Sequence, residues 1–147
     1  YLSVFSEKYP QEKYTGPYIV LRCAHVESGK LNLVYKSDKF GFRENEDILY
    51  DETDFVFLGD SFIHGICINK PNNTVEKFRK ISGKKVLNLG LHGSQPWSQL
   101  AYAKKYLNNT RYKELVLFFF EGNDYEQPLK DNIENINNIL LSKKKIY

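Results

Sequence analysis

The chain has 147 residues, which suits one domain with a sizeable core and leaves little room for two. Its net charge of +3 and its lysine-rich set of basic residues do not indicate a nucleic-acid-binding protein. Two cysteines exclude a disulfide-dense scaffold and a four-cysteine zinc site, and the longest apolar run, 115–120, is far too short for a membrane span.

Residues 1–50 form a predicted N-terminal extension that contains a β-hairpin. Strand-forming residues at 18–26 and 31–36 flank a short glycine-containing turn, which is typical of a hairpin. A loop over 37–45 follows the second strand. The chain starts at Tyr1 and contains no methionine, so we expect it to be processed, trimmed or a fragment.

Residues 51–147 alternate between strands and helices. The predicted strands are 55–58, 86–89 and 115–120, and the predicted helices start near Asn73, Pro96 and Pro128. Because the strands are continuous apolar runs, we expect a parallel sheet with helices on both faces, which is an α/β fold. The apolar residues expected to face the core from the first two helices are Val75, Phe78, Ile81, Trp97, Leu100, Ala101 and Leu107. Alternatively, Trp97 lies at the rim of a pocket for an acyl group or a sugar. Cys67 is expected to be a small buried residue.

Chemistry in an open parallel sheet takes place just past the carboxyl ends of the strands. The first strand is followed by Gly59-Asp60-Ser61, where a serine on a tight strand-to-helix turn exposes its hydroxyl and its backbone N–H. The alternative is that Asp60 or Ser61 only caps the following helix. The second strand is followed by Gly90 and Gly93, which either let backbone N–H groups approach a ligand or supply positive φ in a loop.

The third strand is followed by Asn123, whose side-chain amide can donate a hydrogen bond into the same crevice. Alternatively, Asn123 ends the strand in an Asx turn, with Asp124 as a neighbouring cap. The three strand ends together offer the groups that stabilise one tetrahedral oxyanion, which favours a single site. Glu121 and Asp124 lack the histidine partners or further carboxylates of a hydrolytic metal site, so we expect no metal.

Three blocks of this sequence resemble those of the SGNH hydrolases, also called the GDSL lipase/esterase superfamily. The blocks are Phe57-Leu58-Gly59-Asp60-Ser61-Phe62, Asn88-Leu89-Gly90-Leu91-His92-Gly93 and, in a shorter Gly-Asn-Asp form, Glu121-Gly122-Asn123-Asp124. The upstream segment 37–43 is similar to the Asp/Asn-x-x-Gly-Phe-Arg segment that precedes this domain in many bacterial members. The resemblance covers roughly residues 37–127.

The resemblance implies a flavodoxin-like three-layer α/β/α fold and an esterase activity. It implies Ser61 as the nucleophile, and the backbone N–H groups of Ser61 and Gly93 with the Asn123 amide as the oxyanion hole. The further residues that we expect to contact substrate are Asp60, His64, His92 and Asp124, although the two histidines alternatively hydrogen-bond a loop. The expected substrate is a small-molecule or glycan ester, and carbohydrate O-acyl esters are favoured because bacterial members with the upstream segment look like enzymes of surface glycans. No cofactor is expected.

The family's fourth block, Asp-x-x-His, is absent, since no histidine follows His92. In that block the histidine is the general base and the aspartate orients it. We expect a truncation before the block, and the alternative is an inactive relative that serves as a binding or assembly module. An Asp-x-x-His beyond Tyr147 in the reading frame would support the enzyme. A weaker interpretation is a flavodoxin-like nucleotide binder, but the sequence contains no glycine-rich phosphate-binding motif. For the compartment of the protein, the sequence leaves both the cytoplasm and the periplasm open.

Overall fold

The computed structural model describes residues 18–23, 31–45, 50–122 and 124, together with Glu134, Asn137 and Leu141. Its strands are β1 (Tyr18–Cys23), β2 (Leu31–Lys36), β3 (Glu52–Leu58), β4 (Val86–Asn88) and β5 (Arg111–Leu117). Its helices are α1 (Ser61–His64), α2 (Thr74–Ser82) and α3 (Pro96–Tyr106), and a short 3₁₀ helix covers Lys70–Asn72. The helix predicted to start at Pro128 falls outside the described residues, except for the three single positions, which are helical. None of the described helices combines the length and the apolar character that a membrane crossing requires.

The first two strands form the predicted hairpin sheet. They pair antiparallel in one register, which runs from Tyr18 opposite Lys36 to Cys23 opposite Leu31. The turn between them, 24–30, lies outside the described residues. The strands of the predicted hairpin are therefore confirmed.

The loop after β2 folds around the carboxylate of Asp38. Its Oδ1 accepts hydrogen bonds from the backbone N–H groups of Phe40, Gly41 and Phe42 at 2.9, 2.8 and 2.9 Å. Its Oδ2 accepts a further hydrogen bond from the Tyr50 hydroxyl. Gly41 has a φ of 103°, a conformation that residues with a side chain rarely adopt. The turn directs Phe42 into the core, where this ring is fully buried.

Among the residues that the structure describes, β3 is the central strand of a three-stranded sheet with the order β4-β3-β5. Both pairings are parallel, and Val56 lies opposite Leu87 in β4 and opposite Leu115 in β5. The sheet contributes to two clusters of buried side chains, one with Phe42, Val56, Leu58, Leu87, Leu89, Leu91, Tyr102, Ala103 and Leu107, and one with Phe57, Ile63, Val75 and Val86. The predicted α/β class with a parallel sheet is confirmed. All three strands end at one edge, where the candidate site residues follow them.

β5 differs from the prediction because it lies at the edge of the described part of the sheet. It covers Arg111–Leu117, whereas the apolar pattern predicts a doubly buried strand at 115–120, and its residues are exposed or half-buried. The reason lies in the first half of the strand, where charged side chains pair with those of β3 across the sheet. These pairs are Arg111 with Glu52 and Lys113 with Asp54. In β5 the apolar run predicted neither the burial of the strand nor the residue at which pairing begins.

α2 begins and ends where its capping residues predict. Asn73 Oδ1 accepts a hydrogen bond from the Glu76 N–H at 2.8 Å, and Gly83 ends the helix in the left-handed conformation.

Outside the strands, four apolar residues predicted to be buried are exposed instead. These are Ile81, Trp97, Leu100 and Cys67. α3 turns Gln99, Ala101, Tyr102 and Ala103 towards the core, so Trp97 and Leu100, three residues apart, share the outer face. Cys67 has a φ of 60° and is disulfide-bonded, so it is not the small buried residue that the sequence predicts.

Candidate active site

The turn after β3 places Ser61 at the start of α1. Asp60 is the N-cap of this helix, and its Oδ1 accepts a hydrogen bond from the Phe62 N–H at 3.0 Å. The half-buried Ser61 donates a long hydrogen bond of 3.4 Å from its hydroxyl to Asp60 Oδ2. A Cβ at Gly59 would lie 2.5 Å from the Ile63 side chain, so this turn requires glycine. Asp60 therefore does cap the helix, and the hydroxyl of Ser61 is only weakly held.

The loop after β4 is fastened to this turn through one carbonyl group. The Gly59 carbonyl accepts hydrogen bonds from the Leu91 N–H at 3.0 Å and from the Ser94 hydroxyl at 3.1 Å. The Ser94 N–H also donates to the Leu91 carbonyl at 3.0 Å, which closes a tight turn around Gly93. Gly93 is exposed in this turn and has a φ of 74°. The Gly93 loop thus lies against the turn that carries Ser61.

Asn88, the last residue of β4, joins the same two segments through its buried side chain. Its Nδ2 donates to the Ile63 carbonyl of α1 at 3.1 Å, and its Oδ1 accepts from the Gly90 N–H at 2.8 Å. The first residue of the second block therefore positions the loop after β4 against α1.

Replacing Gly90 with alanine is expected to displace α1. A Cβ at this position would lie 2.6 Å from the backbone nitrogen of His64 and 2.7 Å from the carbonyl carbon of Ile63. Because backbone atoms cannot rotate away, we expect the free energy of unfolding to fall by about 3 kcal/mol, the upper range for overpacking. Urea unfolding measures the loss, and the amide chemical shifts of residues 61–64 report the displacement.

Gly93→Ala is the matched control in the same loop. A Cβ on Gly93 meets no atom within 4 Å, so its cost comes from the left-handed backbone alone, about 1–2 kcal/mol. The amides of α1 should keep their chemical shifts in this control. Equal changes in the α1 amide chemical shifts of both variants would contradict the close approach of Gly90 to α1.

The turn after β5 is described only in part. Asn123 lies outside the described residues, so its role as an oxyanion donor stays a prediction. Asp124 is buried, and its Oδ2 accepts a hydrogen bond from the Phe120 N–H at 2.7 Å. The Asp124 N–H donates in return to the Phe120 carbonyl at 3.1 Å. Asp124 thus closes this turn, and its contact with substrate stays a prediction.

His64 lies in the interior of the protein. Its side chain is fully buried, and its Nε2 is hydrogen-bonded to the Tyr35 hydroxyl. Burial, followed by the positive charges of Arg43 and His92, lowers the pKa of His64 to about 3, so the ring is neutral near pH 7. Its Nδ1 is buried without a hydrogen-bond partner among the described residues, and its contact with a substrate stays a prediction. So does the contact of the half-buried His92, whose Nδ1 is buried without a partner among the described residues.

Arg43 supports α1 and the turn after it, a role that the sequence reasoning missed. Its guanidinium donates hydrogen bonds to the carbonyls of His64, Gly65 and Ile68. It also lies over the Tyr35 ring, 4.7 Å from the centroid. A cation at the last carbonyls of a helix is favourable. The Gly-Phe-Arg segment was the available signal, but a sequence pattern does not show which carbonyls its arginine reaches.

An ion pair between the buried Glu44 and the half-buried Arg79 lies behind Asn88, and the sequence reasoning missed it as well. Glu44 Oε1 accepts hydrogen bonds from Arg79 and from the Asn88 N–H, the latter at 2.6 Å. Arg79 also donates to Glu76 at 2.7 Å and to the Val86 carbonyl at 2.5 Å. Burial raises the pKa of Glu44, and the charge of Arg79 opposes this shift. The two partners are 35 positions apart, beyond the reach of any local pattern.

The site therefore consists of a weakly held serine hydroxyl, an exposed glycine turn and a buried polar network beneath both. Within the described part of the chain, no three histidine, cysteine or carboxylate side chains are grouped so that they could hold a metal ion. Comparison of the chain with protein-family models, with curated proteins and with solved structures finds no significant match.

Proposed function

We propose that this protein is a serine ester hydrolase of the SGNH type that works through an acyl-enzyme. The observation that carries the proposal is the shared Gly59 carbonyl, which holds the Ser61 turn and the Gly93 loop together. A serine hydroxyl on one turn and the backbone N–H groups of a glycine loop fastened to that turn would supply the nucleophile and the oxyanion donors that acyl transfer requires. A flavodoxin-like three-layer arrangement around the parallel sheet belongs to the same proposal.

In the proposed reaction the Ser61 oxygen attacks the carbonyl carbon of the ester, and its proton passes to a base. The charge on the carbonyl oxygen is stabilised by the N–H groups of Ser61 and Gly93 and by the Asn123 amide. The alcohol then leaves with a proton, and the acyl group remains on Ser61. Water attacks this acyl-enzyme and releases the acid. Carbohydrate O-acyl esters are the proposed substrates, in view of the upstream segment 37–43.

The base has to be a group other than His64 in this proposal. The His64 ring is buried against Tyr35, and its pKa of about 3 makes it a weak proton acceptor at neutral pH. Among the described residues, the one hydrogen-bond partner of the Ser61 hydroxyl is Asp60. In the family that the blocks resemble, the base is the histidine of an Asp-x-x-His block, which these 147 residues do not contain.

Added imidazole can take the place of this base and so tests the nucleophile directly. We expect the protein to hydrolyse p-nitrophenyl acetate slowly by itself and, with imidazole, faster than imidazole alone does. Ser61→Ala should return the rate to that of imidazole alone, because the acyl acceptor is removed. Mass spectrometry of the quenched reaction should locate an acetyl group on Ser61.

Two further variants complete the experiment. Ser82→Ala is the matched control, since this serine lies on α2 and donates to the Phe78 carbonyl, away from the site. It should leave the imidazole-dependent rate unchanged. Asn123→Ala should lower that rate by about 10²–10³-fold if its amide is an oxyanion donor. An imidazole-dependent rate that is the same with and without the Ser61 hydroxyl would refute the proposal.

A binding or assembly module without catalysis is the second candidate, and the burial of His64 favours it. The histidine nearest in sequence to Ser61 is held by Tyr35 rather than by the serine. Such a module would keep the crevice but transfer no acyl group. A folded protein with no imidazole-dependent acetylation of Ser61 would support this candidate.

A further inference from the structure

An exposed pair of aromatic rings adjoins Ser61. Phe62 keeps 60% of its surface exposed and Phe120 keeps 41%, although both side chains are large and apolar. Their ring centroids are 5.1 Å apart, and the ring planes are inclined at 51°. Phe62 follows Ser61 directly in α1, and Phe120 follows β5 at the edge where β3 also ends. We call Phe62 and Phe120 the aromatic pair.

Two carboxylates fix the backbone that carries these rings. The Phe62 N–H donates to the carboxylate of Asp60 at 3.0 Å, and the Phe120 N–H donates to that of Asp124 at 2.7 Å. A Cβ at Gly122 would lie 2.6 Å from the Phe120 ring, so the glycine makes room for this ring. The two rings contact each other and so form one contiguous exposed apolar surface, and contiguous surfaces of this kind mark interaction or ligand-binding sites.

We propose that the aromatic pair binds the acyl chain of the ester, and that this chain is an alkyl group longer than acetyl. The inference rests on the proposed function, in which the acyl carbonyl carbon bonds to Ser61, and Phe62 is the next residue of α1. The inclined rings form an apolar wedge that suits a flexible alkyl chain, whereas they share no plane on which a sugar ring could stack. Contact between the chain and the rings removes apolar surface of both from water.

Binding of octanoate to the Ser61→Ala protein tests this surface without turnover. Octanoate resembles the acid product, because its carboxylate corresponds to the acyl carbonyl and its tail to the alkyl chain. We expect octanoate to shift the ring NMR signals of Phe62 and Phe120, and we expect acetate and methyl glucoside to leave them unchanged. Phe62→Ala and Phe120→Ala should each weaken octanoate binding about tenfold, because each removes apolar contact area.

Ile81→Ala is the matched control, since Ile81 is 85% exposed on α2, outside the site. It should change the octanoate affinity less than about twofold. An equal loss in Ile81→Ala and Phe62→Ala would overturn the inference, as would ring shifts with methyl glucoside instead of octanoate. Phe62→Ala and Phe120→Ala can lower the octanoate affinity in a protein that shows no imidazole-dependent acetylation of Ser61. That result would support the alkyl-binding surface and refute the esterase, so the failures of the two proposals are distinguishable.

Discussion

Arg79→Met is expected to lower the free energy of unfolding by about 3 kcal/mol at pH 7, the lower end of the cost of breaking a buried ion pair, because Glu44 is fully buried while Arg79 keeps 19% of its side chain exposed. The change leaves the carboxylate of Glu44 buried without its cation and removes the hydrogen bond to the Val86 carbonyl of β4. Burial already raises the pKa of Glu44 against the charge of Arg79, so without Arg79 this carboxyl takes up its proton at a higher pH. The loss relative to the wild type should therefore be smaller at pH 5 than at pH 7.

Two further variants isolate the contribution of the pair. Glu44→Gln in the Arg79→Met background should recover part of the stability, because no buried charge remains. Arg111→Met is the matched control at the surface: Arg111 is 81% exposed and its partner Glu52 is 61% exposed. Exposed pairs contribute about 0–1 kcal/mol. Urea unfolding of the four proteins at both pH values gives the comparison, and equal losses for Arg79→Met and Arg111→Met would contradict a buried pair.

His64 is expected to make the stability depend strongly on pH. Its pKa is lowered from 6.5 to about 3 in the folded protein, first by burial and then by the charges of Arg43 and His92. Unfolding restores the ordinary pKa, so between these two values the unfolded chain binds the additional proton. The stability that depends on a neutral His64 is complete above about pH 6.5 and falls by about 1.4 kcal/mol per pH unit below it. The expected loss between pH 6.5 and 5.0 is about 2 kcal/mol.

His64→Gln isolates this effect, because glutamine can still hydrogen-bond Tyr35 but does not titrate. The free energies of unfolding of wild type and variant are measured in urea at pH 7.5, 6.5, 5.5 and 5.0, and their difference is compared. Burial raises the pKa values of Asp38 and Glu44, so these two groups increase the free energy of unfolding as the pH falls. Because they do so equally in wild type and variant, their contributions cancel in the difference. A difference that stays constant over this range would contradict a buried, neutral His64.

Local patterns were sufficient to predict the central elements of the fold. The apolar run of β3, the cap at Asn73 and the glycine at position 83 each act within a few residues, so their signals are present in the sequence. The turns at Gly59 and Gly93 follow in the same way, because a close approach or a positive φ requires glycine. From these signals the α/β class, the parallel sheet and the strand ends that carry Ser61 and Gly93 could be predicted.

The outer faces of the elements could not be predicted in the same way. Trp97 and Leu100 have the spacing of a buried helix face, yet α3 turns Gln99 and Tyr102 inwards instead. β5 contains an apolar run but lies at the edge of the described sheet. Hydrophobic periodicity reports that a side chain is apolar, whereas its burial depends on which neighbours cover it.

The polar network beneath the site also arises from the three-dimensional packing. The residue types at Tyr35, Arg43, Glu44, His64 and Arg79 can be read directly, but their pairing joins segments that are 21 to 35 positions apart. A charge or a ring nitrogen can lie in the core only when a distant partner meets it there, and chain folding determines which partner that is. The local sequence therefore specifies the strands, the caps and the glycine turns around Ser61. The environment of His64 and of the Glu44–Arg79 pair is set by contacts between distant segments.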